Sequence, residues 1–160
     1  MNATTSTQQN LASWIAYLRS HAAIKRQLNA DLLEGHNLTL SDYEVLLRLS
    51  QADGHEMRRI DLAESVLLTA SGITRLLDGL ERAGFVEKGA CASDARVSYA
   101  RLTAAGHDKL REAAVTHLEG VELLFTGRYS EEELQTLGEL LSRLPTTPGR
   151  DECGPPSCSP

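Results

Sequence analysis

The sequence predicts a mainly α-helical fold carrying one small β-hairpin. Three observations predict it: apolar residues recur at three-and-four spacing through most of the chain, two short strand-like stretches flank a small polar loop, and glycine or proline punctuates the runs between them. At 160 residues the chain fits one domain, large enough to bury about two-thirds of the surface its unfolded form exposes. Its longest apolar runs, such as Val45-Leu46-Leu47 and Val66-Leu67-Leu68, fall far short of the roughly 18 residues of a membrane span. Met1 to Asn10 has neither a basic start nor an apolar centre, so it does not read as a signal peptide, and a cytoplasmic location is expected.

Each element follows from local signals. Residues 1–10, rich in Thr, Gln and Asn, are expected to be disordered. From Leu11, the residues Leu11, Trp14, Leu18, Leu28 and Leu32 form one apolar stripe of a first helix, over about 11–33, which His21 and Lys25 interrupt. A second helix is expected from Thr39 or Ser41 to Ser50, with Tyr43, Leu46, Leu47 and Leu49 inward, and Gln51 to Gly54 ends it. A short helix fits Arg59 to Val66. After the connector Leu67-Leu68, Thr69 can cap a longer helix that reaches Ala83, where Gly84 supplies a C-cap. Phe85 to Lys88 and Val97 to Leu102 read as strands joined by the loop Gly89 to Arg96. Beyond Thr103 a long helix carries Leu110, Ala114, Leu118, Val121 and Phe125 on one side and ends near Gly127. Ser130 and Glu133 match a capping box for a last helix with Leu134, Leu137, Leu141 and Leu144 inward. Pro145 stops it, and the tail 145–160 is expected to be disordered.

The net charge of −6 argues at first against a polyanionic partner, but it is unevenly spread. Residues 56–102 carry seven Lys/Arg against seven Asp/Glu, whereas residues 103–160 carry five against ten. A neutral segment presents a basic face if its acids point elsewhere, so position decides. Two helices in close succession, Arg59 to Val66 and Thr69 to Ala83, with a hairpin behind them, suggest a winged helix-turn-helix. On the second of these helices Ile73, Leu76, Leu77 and Leu80 share one side, with Ser71, Thr74, Arg75, Asp78 and Arg82 opposite. Small hydroxyls at Thr69, Ser71 and Thr74 suit phosphates or base edges, and Arg75 has the planar fork that pairs with guanine in a major groove. Asp78 is expected to orient Arg75 or Arg82. In the wing loop, Asp94-Ala95-Arg96 places an arginine where it can enter a narrow minor groove, with Asp94 holding it.

Taken in order, these pieces resemble the MarR family of regulators. The resemblance rests on Ser71-Gly72-Ile73-Thr74-Arg75-Leu76 with Asp78 and Leu80, on Ala83-Gly84-Phe85-Val86, on Asp94-Ala95-Arg96, and on Leu102-Thr103-Ala104-Ala105-Gly106. It covers about 11–144, with the winged helix-turn-helix at about 39–102 and dimerisation helices at about 11–33 and 103–144. It implies a homodimer that grips a pseudo-palindromic double-stranded DNA operator, most simply as a repressor, and release by a small aromatic or phenolic ligand bound between the dimer helices and the DNA-binding lobe. The residues support a dimer independently, since the first and the last two helices carry more apolar side chains than a small winged domain can cover.

Other readings weigh less. His21 and Lys25 can meet a ligand carboxylate at the dimer seam, although such residues are more often plain interface groups. No i, i+4 histidine pair and no Cys-x-x-Cys motif points to a metal, and no cofactor is expected. Cys91 in the wing loop, with Cys153 and Cys158 in the tail, defaults to free thiol in a reducing compartment. The rival reading is a thiol- or metal-responsive sensor of the same fold that acts mainly through a protein partner. The sequence holds no Gly-x-Ser-x-Gly elbow, His-Glu-x-x-His pair or phosphate loop, so an enzyme is not expected.

Overall fold

The computed structural model describes residues 3–90 and 98–145 of the chain. Helix α1 (Ala3–His36) begins eight residues before Leu11, inside the stretch expected to be irregular. Ala3 to Asn10 holds no glycine or proline, and Thr, Gln, Ser and Asn each cost a helix under about 0.7 kcal/mol relative to alanine. Asn37 ends α1 in the left-handed region, φ 55°, its amide donating to the Leu33 carbonyl at 3.0 Å.

Helix α2 (Leu40–Gln51) starts at Thr39, as the sequence suggests, through a capping box. The Thr39 hydroxyl accepts from the Asp42 amide at 3.1 Å, and the Asp42 carboxylate accepts from the Thr39 amide at 2.8 Å. Tyr43, Leu46 and Leu49 are buried as expected, but Leu47 is only half-buried while Leu40 and Val45 are fully inside. The buried arc is wide because α2 touches other elements on several sides, α1 and α5 as well as the strands.

Three strands form an antiparallel sheet in the order β1-β3-β2: β1 (Glu56–Arg58), β2 (Val86–Ala90) and β3 (Ser98–Leu102). The sequence does not predict β1, whose three residues are too few to show a period of two. Its place comes from pairing Glu56 with Arg101 and Arg58 with Tyr99, and an Arg101 to Glu56 ion pair at 2.7 Å reinforces it. Strand β2 runs past Lys88 to Ala90, two residues beyond its expected end. Gly89 pairs with Tyr99, and a Cβ there would lie 3.0 Å from the Tyr99 Cβ, so the strands approach more closely than a larger residue would allow.

Helices α3 (Arg59–Ser65) and α4 (Ala70–Arg82) lie in sequence between β1 and β2. Helix α5 (Ala104–Leu124), a single 3₁₀ turn (Thr126–Arg128) and α6 (Glu131–Leu141) complete the described chain. One core joins the two ends of the fold: Leu28 and Leu32 of α1 and Leu110 and Ala113 of α5 belong to the same buried cluster as Leu62 of α3 and Leu77 of α4. A Cβ on Gly120 would sit 2.7 Å from the Leu28 Cδ2, which shows how closely α1 and α5 cross.

Two expectations for the last helices change. The inward line of α5 runs through Gly106, Leu110, Ala113 and Gly120, so Leu118 lies off it and is 63% exposed. Helix α6 is capped as expected, the Ser130 hydroxyl accepting from the Glu133 amide and the Glu133 carboxylate from the Ser130 amide. No α6 side chain is buried: Leu134, Leu137 and Leu141 are half-covered, and Leu144 lies beyond the helix end and is exposed.

At the seam of α2 and α5 the rings of Tyr43 and His117 stand 4.4 Å apart, and His117 Nδ1 is buried without a hydrogen-bond partner among the described residues. Burial lowers the His117 pKa from its ordinary 6.5, against a smaller upward pull from Glu44. The unfolded chain therefore takes up this proton more readily than the folded one. The contribution of this histidine to stability is whole above 6.5 and declines as pH falls below it. Thermal midpoints measured from roughly pH 8 to pH 5 should fall on the acid side, and His117→Phe, which keeps a ring on Tyr43, should flatten that slope.

Candidate nucleic-acid interface

The Thr69 hydroxyl caps α4 by accepting from the Gly72 amide at 3.1 Å. Ile73, Leu77 and Leu80 are buried, and Leu76 is half-buried. Thr69, Ser71, Thr74, Arg75 and Arg82 all lie exposed, so five residues singled out in the sequence share one exposed helix surface. The Ser71 hydroxyl is 3.2 Å from that of Thr69 at the helix start, where the helix dipole attracts anions.

These side chains are not equally free. The Thr74 hydroxyl donates to the Ala70 carbonyl at 2.9 Å, which leaves its oxygen and methyl group to face outward. Arg75 has no hydrogen bond or ion pair among the described residues, and its whole guanidinium fork is available. Arg82 spends its Nε on the Asp78 carbonyl at 3.0 Å. It lies about 16 Å along the helix axis from Ser71, too far to share its base pairs, so a phosphate suits it better.

Asp78 does not orient Arg75 or Arg82 through its carboxylate. That group lies 3.9 Å from Arg59 Nη2 on α3, a loose charge contact, and Arg82 reaches only its backbone oxygen. Arg59 also stands 3.6 Å from Glu81, whose other oxygen is 3.2 Å from Lys88 Nζ on β2. Arg59 Nε and Nη2 and Glu81 Oε1 are buried with no hydrogen bond among the described residues, so this bridge ties α3, α4 and β2 by charge rather than by close bonding. The sequence reading missed it, because an arginine and a glutamate 22 positions apart give no periodic signal.

The pairing resolves the neutral sum over residues 56–102. Asp61 faces Arg58, Glu56 and Glu87 face Arg101, and Asp78 and Glu81 face Arg59. Most of the acids are thereby answered by neighbours, while Arg75, on the exposed surface of α4, meets no opposing charge among the described residues.

The far end of α4 is fixed by a knot of backbone contacts. Gly84, at φ 78°, closes a Schellman turn in which the Phe85 amide donates to the Leu80 carbonyl and the Gly84 amide to that of Glu81, each at 3.0 Å. The Thr103 hydroxyl donates to the Gly84 carbonyl at 2.7 Å and accepts from the Gly106 amide at 3.0 Å, while its own amide donates to the Phe85 carbonyl at 3.1 Å. A Cβ on Gly106 would lie 2.1 Å from the Phe85 oxygen. Ala83-Gly84-Phe85-Val86 and Leu102-Thr103-Ala104-Ala105-Gly106 are thus two halves of one joint.

Comparison with known proteins agrees with this geometry. The sequence pattern of the MarR family matches residues 38–98. The HTH-type transcriptional repressor YetL of Bacillus subtilis is 32% identical over 114 residues, which are 69% of this chain and 68% of that protein. The crystal structure of AbsC, a MarR family transcriptional regulator from Streptomyces coelicolor, superposes with a TM-score of 0.76 at 31% identity, covering 82% of this chain and 88% of that one. The chain belongs to the MarR family. Sco3205, a MarR family regulator from the same organism solved in complex with DNA, superposes with a TM-score of 0.80 at 25% identity over 84% of each chain.

This MarR-family chain is therefore a winged helix-turn-helix transcriptional regulator, and its relatives are regulators rather than enzymes. The family match spans α2 to the start of β3, while the structural likeness takes in the flanking helices as well. Of the remaining candidate residues, Asp94, Arg96 and Cys91 in the wing and Cys153 and Cys158 in the tail lie outside the described residues. His21 and Lys25 are exposed on α1, where the His21 ring is 6.2 Å from that of Tyr17 and the chain brings no polar partner to either among the described residues. Among the described residues no group of three His, Cys, Asp or Glu side chains is placed to hold a metal ion, and no helix is long and apolar enough to cross a membrane.

Proposed function

We propose that this regulator binds a pseudo-palindromic double-stranded DNA operator as a homodimer and represses transcription by occluding a promoter. The observation that carries the reading is the outer surface of α4, where Ser71 and Arg75, which has no partner among the described residues, stand opposite Ile73, Leu77 and Leu80 in the core. Arg75 and Ser71 read bases in the major groove, Thr69, Thr74 and Arg82 hold the backbone, and Arg96, positioned by Asp94, enters the minor groove. A relative named as a repressor and a structural neighbour solved with DNA support the same reading.

The dimer is supported by apolar side chains left open on the flanking helices: Leu11, Trp14 and Leu18 on α1, Leu118 and Leu123 on α5, and Leu140 on α6. A second copy would cover them. In such a dimer a small aromatic or phenolic effector would bind between the flanking helices and the winged lobe and release the DNA, with His21 and Lys25 as its candidate polar contacts. The regulator would act in the cytoplasm, where the DNA is.

Selection from random duplex DNA, followed by affinity measurement across salt concentrations, tests the proposal. The expected result is a symmetric consensus with half-sites about one helical turn apart, and affinity that falls steeply with added salt as phosphate contacts require. An asymmetric or absent consensus, or affinity indifferent to salt, would instead favour a sensor that acts through a protein partner.

A further inference from the structure

Leu67 is the oddity of the helix-turn-helix. It sits in the connector between α3 and α4, two residues before the Thr69 cap, and its backbone is left-handed at φ 56°. Residues other than glycine, asparagine and aspartate avoid that region because their Cβ crowds the following carbonyl, and leucine gains nothing there from local hydrogen bonding. The connector itself accounts for the bend. The Leu67 amide donates to the Glu64 carbonyl at 3.3 Å and the Leu68 amide to the Ala63 carbonyl at 2.9 Å, and the turn they form delivers Thr69 to the start of α4. The backbone thus needs a residue at positive φ, but nothing in the turn needs that residue to be leucine.

Nor does the core need it. Leu68 packs against the buried cluster, whereas Leu67 points away and is 71% exposed. In the isolated fold the side chain keeps the strain and returns almost no burial. Backbone strain retained at a position with no internal return is a mark of an external contact. The exposed residues that follow Leu67 into α4 are Thr69, Ala70 and Ser71, and the first and last of these form the hydroxyl pair at the start of the reading helix. When the N-terminal end of that helix enters a major groove, the connector just before it enters the groove mouth as well. The apolar group on offer there is the C5-methyl of thymine.

We propose that Leu67 is a specificity-determining residue that packs on a thymine methyl at one position of each half-site. The proposal rests on α4 being the DNA-reading helix. It adds a hydrophobic criterion to the polar reading by Arg75 and Ser71.

The test pairs two changes. On the duplex recovered by selection, each thymine is replaced in turn by deoxyuridine, which removes only the methyl, and affinities are measured for the parent, L67G and L67N. Glycine and asparagine both accept positive φ, so each variant should fold with a thermal midpoint no lower than the parent's, and asparagine preserves bulk while removing the apolar contact. The expected result is one symmetric pair of positions at which the parent loses about fourfold per methyl, the value of one buried carbon. At those positions L67G and L67N, already weaker on the thymine duplex, should lose nothing further. A parent equally indifferent to every methyl, variants as sensitive as the parent, or variants with parental affinity would each overturn the proposal. A parent that recovers no preferred duplex would fail at the earlier step, the reading of α4 itself, and would take this contact down with it.

Discussion

Gly106→Ala is expected to destabilise the fold by about 3 kcal/mol, lowering the thermal midpoint by some 6–12 °C for a chain of this size. The added methyl would lie 2.1 Å from the Phe85 oxygen and 2.7 Å from Leu102 Cδ1. The first neighbour is backbone, so relief requires moving the chain between α4 and β2. That movement also strains the Thr103 amide bond to Phe85 and the Thr103 hydroxyl bond to Gly84. Gly79→Ala is the matched control. It lies inside α4 with nothing within 4 Å of its added Cβ, and alanine there should stabilise by about 0.5–1 kcal/mol. Thermal unfolding of the two variants should move in opposite directions. Equal shifts would contradict the close packing described at the start of α5.

Arg75→Ala is expected to weaken binding to the selected operator by about 1–3 kcal/mol, roughly 5- to 150-fold, and binding to unrelated duplex much less. The reason is its free guanidinium: no partner among the described residues competes for it, so truncation would remove the proposed recognition contact and leave the fold as it was. Arg82→Ala should behave differently. Its Nε is already engaged, and loss of a phosphate contact should weaken all sequences alike and reduce the salt dependence by about one unit. Arg96→Ala should likewise weaken binding with little change in base preference. Competition assays with operator and scrambled duplexes separate these patterns. If Arg75→Ala retained full discrimination, the assignment of bases to this residue would be wrong.

Much of this was legible in the residues. Thr39, Thr69, Thr103 and Ser130 announce their helices through short-range capping chemistry, which a linear reading sees directly, and Ile73, Leu77 and Leu80 separate cleanly from Ser71, Thr74 and Arg75 on α4. What escaped depends on distant partners. Strand β1 exists because β3 pairs with it. The Arg59 to Glu81 contact joins two helices, and the carboxylate of Asp78 turns toward α3 rather than along its own helix. Leu118 keeps helical spacing with Ala114 and Val121, which points it inward in the sequence, yet the position of α1 selects a neighbouring line through Ala113 and Gly120. Glycines behave in the same way: Gly79 and Gly106 are indistinguishable as letters, and only the approach of Phe85 makes one of them irreplaceable.

The joint at Thr103 ties the end of α4 and the start of β2 to the start of α5. With 21 residues, α5 is a lever about 31 Å long. Swinging it by about 10° around its distal end would carry the attached lobe roughly 5 Å, more than the 3.4 Å that separates successive bases along a strand. In the proposed dimer, a molecule wedged against that lever need never approach the DNA: a small change in tilt would put the two lobes out of phase with the helical repeat.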